Sequence, residues 1–323
     1  MMKQRYYIVL SIILLVIQLS ACAPSNSVAV INRPLRVEYV NRWGDYTLLV
    51  AQELGLFEKY SVDVELVHFD VFSEAIPAIA TGAVDAGIVG VSDTININEN
   101  SSVKIIAICD DGGTNYVVAS PNIIAPEDLK GKKIGVPLGS IYELFILQTL
   151  SEGGLTSHDV TLINTDVEDV PASIGSSIDA GYVGDPYASN ILAAGGSVLF
   201  RSNETNTISP NVIVFREDVI QQRPEEIRAF LKAWFDAVEF RKANPDQANA
   251  IIAKKLNMDI SAISENSFLY SIKENKLFVS SEEIYGTSKL STAIKTNADF
   301  LVRIGALSKK PAPDQLTDIS FIP

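Results

Sequence analysis

A chain of 323 residues can bury a large core and usually divides into two domains. Its formal charge of −13 repels phosphate backbones and argues against nucleic acid as a partner. Hydrophobic residues at 47% and charged residues at 20% are an ordinary globular balance, while two histidines and two cysteines leave no His/Cys cluster with metal-ligand spacing.

In chain order, Lys3 and Arg5 precede an apolar run from Ile8 to Leu19, broken only by Ser11 and Gln18. The run is shorter than the roughly 20 residues a bilayer-spanning helix needs. A charged start, a short apolar centre and a small-residue exit mark a secretory signal peptide over 1–21. The exit Leu19-Ser20-Ala21-Cys22 resembles the lipobox of bacterial lipoproteins, which makes Cys22 the lipidation site. Residues 22–34 then read as a flexible tether. If Cys22 carries lipid, Cys109 has no disulfide partner and is expected to be a small buried hydrophobe.

The first strand is expected at Leu35 to Val40, followed by a helix from Tyr46 to Gly55 with Leu48, Leu49, Ala51 and Leu54 inward. Val62 to Val67 is a second strand, and Ser73 is placed to cap a helix carrying Ile76 and Ile79. Strands follow at Asp85 to Gly90 and Val103 to Cys109, with Tyr116 to Ser120 as a crossing strand. A second series begins with strands at Lys133 to Pro137, Val160 to Asn164, Asp179 to Gly184 and Ser197 to Phe200, and Asn211 to Phe215 is the return crossing. From Pro224 the pattern is helical, with Ile227, Phe230, Leu231, Trp234 and Val238 on one stripe. A last helix is expected from Ser288 to Leu307, and the tail from Lys309 is expected to lie along the surface.

Two of these stretches echo each other: Asp85-Ala86-Gly87-Ile88-Val89-Gly90 and Asp179-Ala180-Gly181-Tyr182-Val183-Gly184. Each is a short apolar run bounded by turn signals, which reads as a buried parallel strand. Their recurrence indicates two similar α/β lobes, one over 35–119 plus 211–323 and the other over 120–210.

Ligands of open α/β sheets bind outside the carboxyl ends of the strands. The candidate ligand groups are therefore Asn41, Trp43 and Tyr46 after the first strand, and Ser92, Asp93 and Thr94 after the echoed one. Asn115 stands at the crossing, beside Asp110 and Thr114. Ser140, Tyr142 and Glu143 open a second-lobe helix, and Tyr182, Asp185 and Tyr187 belong to the second echo. Each has an alternative use as a cap or turn; Asp93 and Asp185, for example, would stabilise helix starts. His68 and His158 flank strands as solvent-facing residues, and no nucleophile elbow is present, so no catalytic group is assigned.

The lipobox, Trp43-Gly44, Glu53-Leu54-Gly55-Leu56-Phe57, Ala78 to Gly87, Asp128-Leu129-Lys130-Gly131-Lys132-Lys133 and the helix after Pro224 add up to a family likeness. Together they resemble the periplasmic solute-binding proteins of nitrate/sulfonate/taurine and thiamine-precursor uptake systems, over nearly the whole mature chain. The resemblance implies a two-lobed α/β periplasmic-binding-protein fold of type II, hinged on two crossing strands. It also implies an ABC permease and its ATPase as partners, a lipid-anchored extracytoplasmic location, a monomer, and neither cofactor nor metal. Related eukaryotic proteins that make the thiamine pyrimidine carry a Cys-rich iron motif, which this chain lacks.

Members of that family bind different ligands, so the class is read from charge. Arg42 is the one obvious cation among the cleft loops, against Asp93, Asp110, Asp111, Glu143 and Asp185, and a buried anion without a partner is costly. With Trp43, Tyr46, Tyr142, Tyr182 and Tyr187 as stacking surfaces, the expected ligand is a heteroaromatic such as riboflavin or a thiamine pyrimidine precursor. Alkanesulfonate, taurine or nitrate is the alternative, held at the helix starts near Ser92 and Ser140.

Overall fold

A computed structural model of the protein describes residues 33–70, 72–113, 115–184, 187–202, 210–260, 263, 267–280 and 288–323. The signal peptide, Cys22 and the tether up to Asn32 lie outside them, as do Thr114, Asp185, Pro186 and the side chain of Ser73. Among the described residues no helix is long and apolar enough to cross a membrane.

The strands are β1 (Leu35–Tyr39), β2 (Val64–His68), β3 (Ala86–Gly90), β4 (Val103–Asp110), β5 (Asn115–Ala119), β6 (Lys133–Val136), β7 (Thr161–Asn164), β8 (Ala180–Gly184), β9 (Ser197–Arg201) and β10 (Asn211–Arg216). The helices are α1 (Tyr46–Glu53), α2 (Leu56–Lys59), α3 (Phe72–Thr81), α4 (Val91–Ile97), α5 (Tyr142–Glu152), α6 (Val170–Ser173) and α7 (Tyr187–Ala193). They continue with α8 (Glu217–Gln222), α9 (Pro224–Ala243), α10 (Pro245–Leu256), α11 (Ile272–Val279), α12 (Lys289–Arg303) and α13 (Pro313–Leu316).

Two five-stranded sheets result, ordered β2-β1-β3-β10-β4 and β7-β6-β8-β5-β9. Each is parallel except for its fourth strand, which runs antiparallel to the third. Apolar residues of α1, α9 and α10 cover one face of the first sheet, and those of α3, α4 and α12 cover the other. The second sheet is covered by α5 on one face and by α6 and α7 on the other. This is the fold expected from the sequence.

The echoed segments occupy the same place, the centre of each sheet. Their leading aspartates do the same work: Asp85 Oδ2 accepts the Arg36 N–H and Asp179 Oδ2 accepts the Lys133 N–H, both at 2.9 Å. Each thereby satisfies the first amides of the neighbouring parallel strand, at the end opposite the cleft. Arg33 and Arg36 ion-pair with Asp85, and although burial opposes the charge, they hold its carboxyl below its usual range. The third-position glycines are needed for close approach. A Cβ on Gly87 would sit 2.5 Å from Glu38 Oε1 and 2.6 Å from Ile79 Cδ1; one on Gly181 would sit 2.7 Å from Val170 Cγ1. Gly87→Ala is therefore expected to destabilise the first lobe by about 1–3 kcal/mol, the usual cost of overpacking, measurable as a lower denaturant midpoint.

Three expectations are corrected. The crossing strand Asn115–Ala119 does not end the first lobe but pairs antiparallel with β8 and β9 inside the second sheet, whereas the return strand Asn211–Arg216 lies in the first sheet between β3 and β4, as expected. Between β4 and β5, Gly112 and Gly113 take φ 87° and 71°, a conformation glycine adopts without strain. Leu54, expected inward, is exposed because α1 stops one residue before it. The tail does not simply lie on the surface. Leu316 and Phe321 are buried, Thr317 bridges to Ile105, and the Asp318 N–H bonds to the Ile105 carbonyl at 2.8 Å. It covers part of the open edge of β4, which would otherwise present unpaired backbone.

Farther along, the same edge pairs with the main chain of residues 268–270, and between the two a side chain closes it. The buried Asn275 on α11 accepts the Ile108 N–H at 2.7 Å and donates to the Ile108 carbonyl at 2.9 Å, so its amide takes the place of a neighbouring strand. The helix stripe Ile227, Phe230, Leu231, Trp234 and Val238 is buried as the periodicity predicts.

Candidate functional site

In the first sheet the switch point lies between β1 and β3, because β1 leads to β2 on one side and has β3 on the other. The two strands pair at Val37 and Ala86. Beyond that pair, side chains meet the main chain of Ile88: its N–H donates to Glu38 Oε1 at 2.9 Å and its carbonyl accepts from Arg42 Nη2. Glu38 and Arg42 thus bridge β1 and the turn after it to β3 at the crevice.

Arg42 also donates Nε to Asp45 Oδ2 at 2.9 Å, and its guanidinium lies 4.4 Å over the Phe72 ring. Its side chain keeps 29% of its surface, and Nη1 makes no hydrogen bond among the described residues. Burial works against the Arg42 charge, but Asp45, Glu38 and Asp110 hold its pKa above the ordinary value. Asp45 is buried and pushed up to about 6 by that burial, with Asp110 adding to the rise and Arg42 opposing it. Glu38 is pushed up to about 8, first by burial and then by Asp45. Asp110 accepts from the Asn211 amide and the Gly112 N–H, both at 2.8 Å, and Cys109, a buried thiol, donates to it at 3.2 Å.

Asp93, the third residue of α4, accepts the Gly90 N–H on Oδ2 at 3.0 Å and so caps its own helix. Its other oxygen makes no hydrogen bond among the described residues. Burial pushes Asp93 up to about 6, while the Arg42 charge pulls it down, so the two are close enough to feel each other. From the second lobe, Tyr142 faces this pair: burial, then Asp93, push its phenol up to about 12, and Arg42 pulls it down. Ile141 is buried in the first-lobe core, so the start of α5 packs across the cleft.

The other expected site residues fall elsewhere. Trp43 packs on the first-lobe core with the Arg241 guanidinium 4.1 Å over its ring, and Tyr46 is buried in the same core. Asn41 is exposed, 3.3 Å from His68 Nε2. Ser92 and Thr94 are buried, and Thr94 Oγ1 donates to the Gly90 carbonyl at 3.1 Å, a bond internal to α4. Asn115 donates to the Gly112 and Gly113 carbonyls and to Ser202 Oγ, lacing the two inter-lobe connections together, and accepts from the Tyr182 hydroxyl. Tyr182 is buried, stacked between Tyr142 at 4.2 Å and Phe145 at 5.6 Å. Tyr187 is half-buried against the second-lobe core. Ser140 Oγ donates to the Pro137 carbonyl at 2.6 Å and accepts the Tyr142 N–H, and Glu143 accepts the Gly139 N–H. The amides at the start of α5 are therefore occupied by the chain's own acceptors. Among the described residues no three His, Cys, Asp or Glu side chains are grouped to hold a metal ion.

Sequence reasoning singled out Arg42 and Asp93 by charge but missed Glu38 and Asp45. The one signal for Glu38 was a carboxylate in a short strand whose residues on either side, Val37 and Tyr39, are apolar or aromatic.

Comparison with known proteins places these features in context. The family described as NMT1/THI5 like matches residues 46–248. A provisionally named binding protein of Brucella abortus is 27% identical over 321 residues, covering 97% of this chain and 96% of its own. The taurine-binding periplasmic protein of Escherichia coli is 31% identical over 207 residues, covering 61% of this chain and 63% of its own. Among solved structures, the periplasmic aliphatic sulphonate binding protein SsuA from Escherichia coli superposes with a TM-score of 0.71 at 19% identity, over 88% of this chain and 92% of that one. That likeness is one of fold.

Proposed function

The chain belongs to the NMT1/THI5-like family, and from that premise we propose that it is the extracytoplasmic solute receptor of an ABC importer for small sulfonates, with an amine-bearing sulfonate of the taurine class as the best fit. The observation that carries the reading is the opposed pair at the β1/β3 crevice. Arg42 keeps one uncommitted Nη1 and Asp93 one uncommitted carboxylate oxygen, within electrostatic reach of each other and of Tyr142. Arg42 would meet the sulfonate and Asp93 the ammonium, so both ligand charges are balanced when water is excluded. The name of the taurine-binding relative supports the same chemistry.

A heteroaromatic ligand, first on charge and composition, fits the geometry less well. Its stacking surfaces are spent: Tyr142 and Tyr182 stack on each other, the Trp43 ring lies under Arg241, and Tyr46 is inside the core. Nor does an anion at the start of α5 fit, since those amides already have acceptors. In this reading the lobes close about Asp111–Gly113 and its companion connection, Cys22 carries the lipid anchor, and the receptor works as a monomer with a permease and its ATPase.

A thermal-shift panel of taurine, ethanesulfonate, nitrate, riboflavin and an aminopyrimidine tests it. A ligand at about 100 times its dissociation constant adds about 2.7 kcal/mol of stability. Taurine is expected to give the largest rise in midpoint and ethanesulfonate a smaller one. A rise with riboflavin or the aminopyrimidine and none with either sulfonate would reverse the ligand assignment.

A further inference from the structure

Glu38 is fully buried on β1, with Oε1 bonded to the Ile88 N–H and Oε2 without any partner. The groups facing it are Arg42 and Asp45 from the segment after β1, the main chain of Gly87 and Ile88 from β3, and Ile79 from α3. Asp110 on β4 acts on both Arg42 and Asp45, and Asp93 on α4 acts with Tyr142 at the mouth. A buried carboxyl with one oxygen unpartnered and an acid beside it is easier to hold neutral than charged.

We infer that Glu38 is a positioning residue whose proton makes the crevice receptive to an oxyanion, so that anion capture at Arg42 is linked to Glu38 remaining protonated. The inference rests on the sulfonate reading and goes beyond it by specifying what controls the affinity. With the proton on Glu38, Arg42 and Asp45 form a neutral pair, and Nη1 can receive an oxyanion. Without it, Glu38 joins Asp45, Asp110 and Asp93 around the single guanidinium, and an incoming anion meets a crevice one charge more negative. The Ile88 N–H is satisfied in either state, so the strand geometry stays while the charge changes.

The direction in pH follows. Burial and Asp45 place the Glu38 pKa at about 8, above the ordinary carboxyl value. The receptive, protonated form therefore persists below about pH 8 and is lost above it. One linked proton limits the fall in anion affinity to about tenfold per pH unit. Asp45 and Asp93, each raised to about 6 chiefly by burial, act in the same sense at lower pH.

Titration calorimetry of the mature protein with ethanesulfonate, whose charge is fixed, tests this at pH values from about 6 to about 9.5 in buffers of low and high ionisation enthalpy. Wild type is expected to bind about tenfold or more weakly at the alkaline end than at neutral pH, with net proton uptake there. Glu38→Gln, which keeps an acceptor for Ile88 and is neutral at every pH, is expected to lose the alkaline fall and the proton uptake that accompanies it. Parallel profiles for the two proteins, or an alkaline fall without proton uptake in wild type, would overturn the linkage while leaving the sulfonate assignment standing. Failure of wild type to bind ethanesulfonate or taurine at any pH would remove both.

Discussion

Replacing Asn275 by leucine is expected to lower the stability of the first lobe by about 3 kcal/mol, since each buried backbone group left without its partner costs roughly 1–3 kcal/mol. The side chain is buried and nearly isosteric with leucine, so the loss is not one of volume. Its amide oxygen and nitrogen are the partners of the Ile108 N–H and carbonyl at 2.7 and 2.9 Å, on a strand whose other side is taken by β10. Water cannot replace it, because Ile108 and Asn275 are both fully buried. The chain's two tryptophans, Trp43 and Trp234, both lie in or against the first-lobe core, so urea unfolding followed by their fluorescence reports on that lobe. A change under about 1 kcal/mol would mean that Ile108 finds other partners and that β4 does not depend on Asn275.

The second large effect is on binding. Arg42→Gln is expected to weaken taurine and ethanesulfonate by at least about 30-fold, because an anion deprived of its buried cation typically loses 2–5 kcal/mol. Arg42→Lys keeps the charge but lacks the fork that serves Asp45, Ile88 and a ligand at once, and is expected to fall between the two. Titration calorimetry at pH 7 reads both. Affinity for both sulfonates within threefold of wild type in Arg42→Gln would place the anion elsewhere. The glutamine variant also leaves the buried Asp45 without its cation, so its stability should rise more steeply than wild type as pH is lowered through the carboxylate range. The sign follows from Asp45, whose folded pKa, already raised to about 6, would rise further once Arg42 no longer opposes it.

The architecture was legible in the sequence wherever it is written as local periodicity. The echoed strands and the α9 stripe stand where the apolar runs and the helical spacing placed them. The equivalence of the two echoes went further than expected, because Asn115 and Asn211 also stand opposite the closing glycines, Gly184 and Gly90. The Asp110 to Gly113 turn was legible as a break, but the pairing of the following strand was not, and the first lobe was carried on to residue 119 for that reason.

By itself the sequence determined that two α/β lobes form, which strands sit at their centres, and that acids outnumber cations where those strands end. These follow from the side-chain periods of helices and strands, which are set within a few residues. Only the tertiary structure decided what the acids and aromatics do, because their partners are distant in the chain. Glu38 meets Ile88 across 50 residues, Asn275 meets Ile108 across 167, and Tyr182 meets Asn115 across 67. Packing turned the tyrosines toward each other and closed Glu38 inside the crevice, and it left Arg42 and Asp93 with bonding capacity to spare. No local pattern encodes such a choice: it is made when the sheet stacks on its helices and each buried polar group must find a partner or a proton.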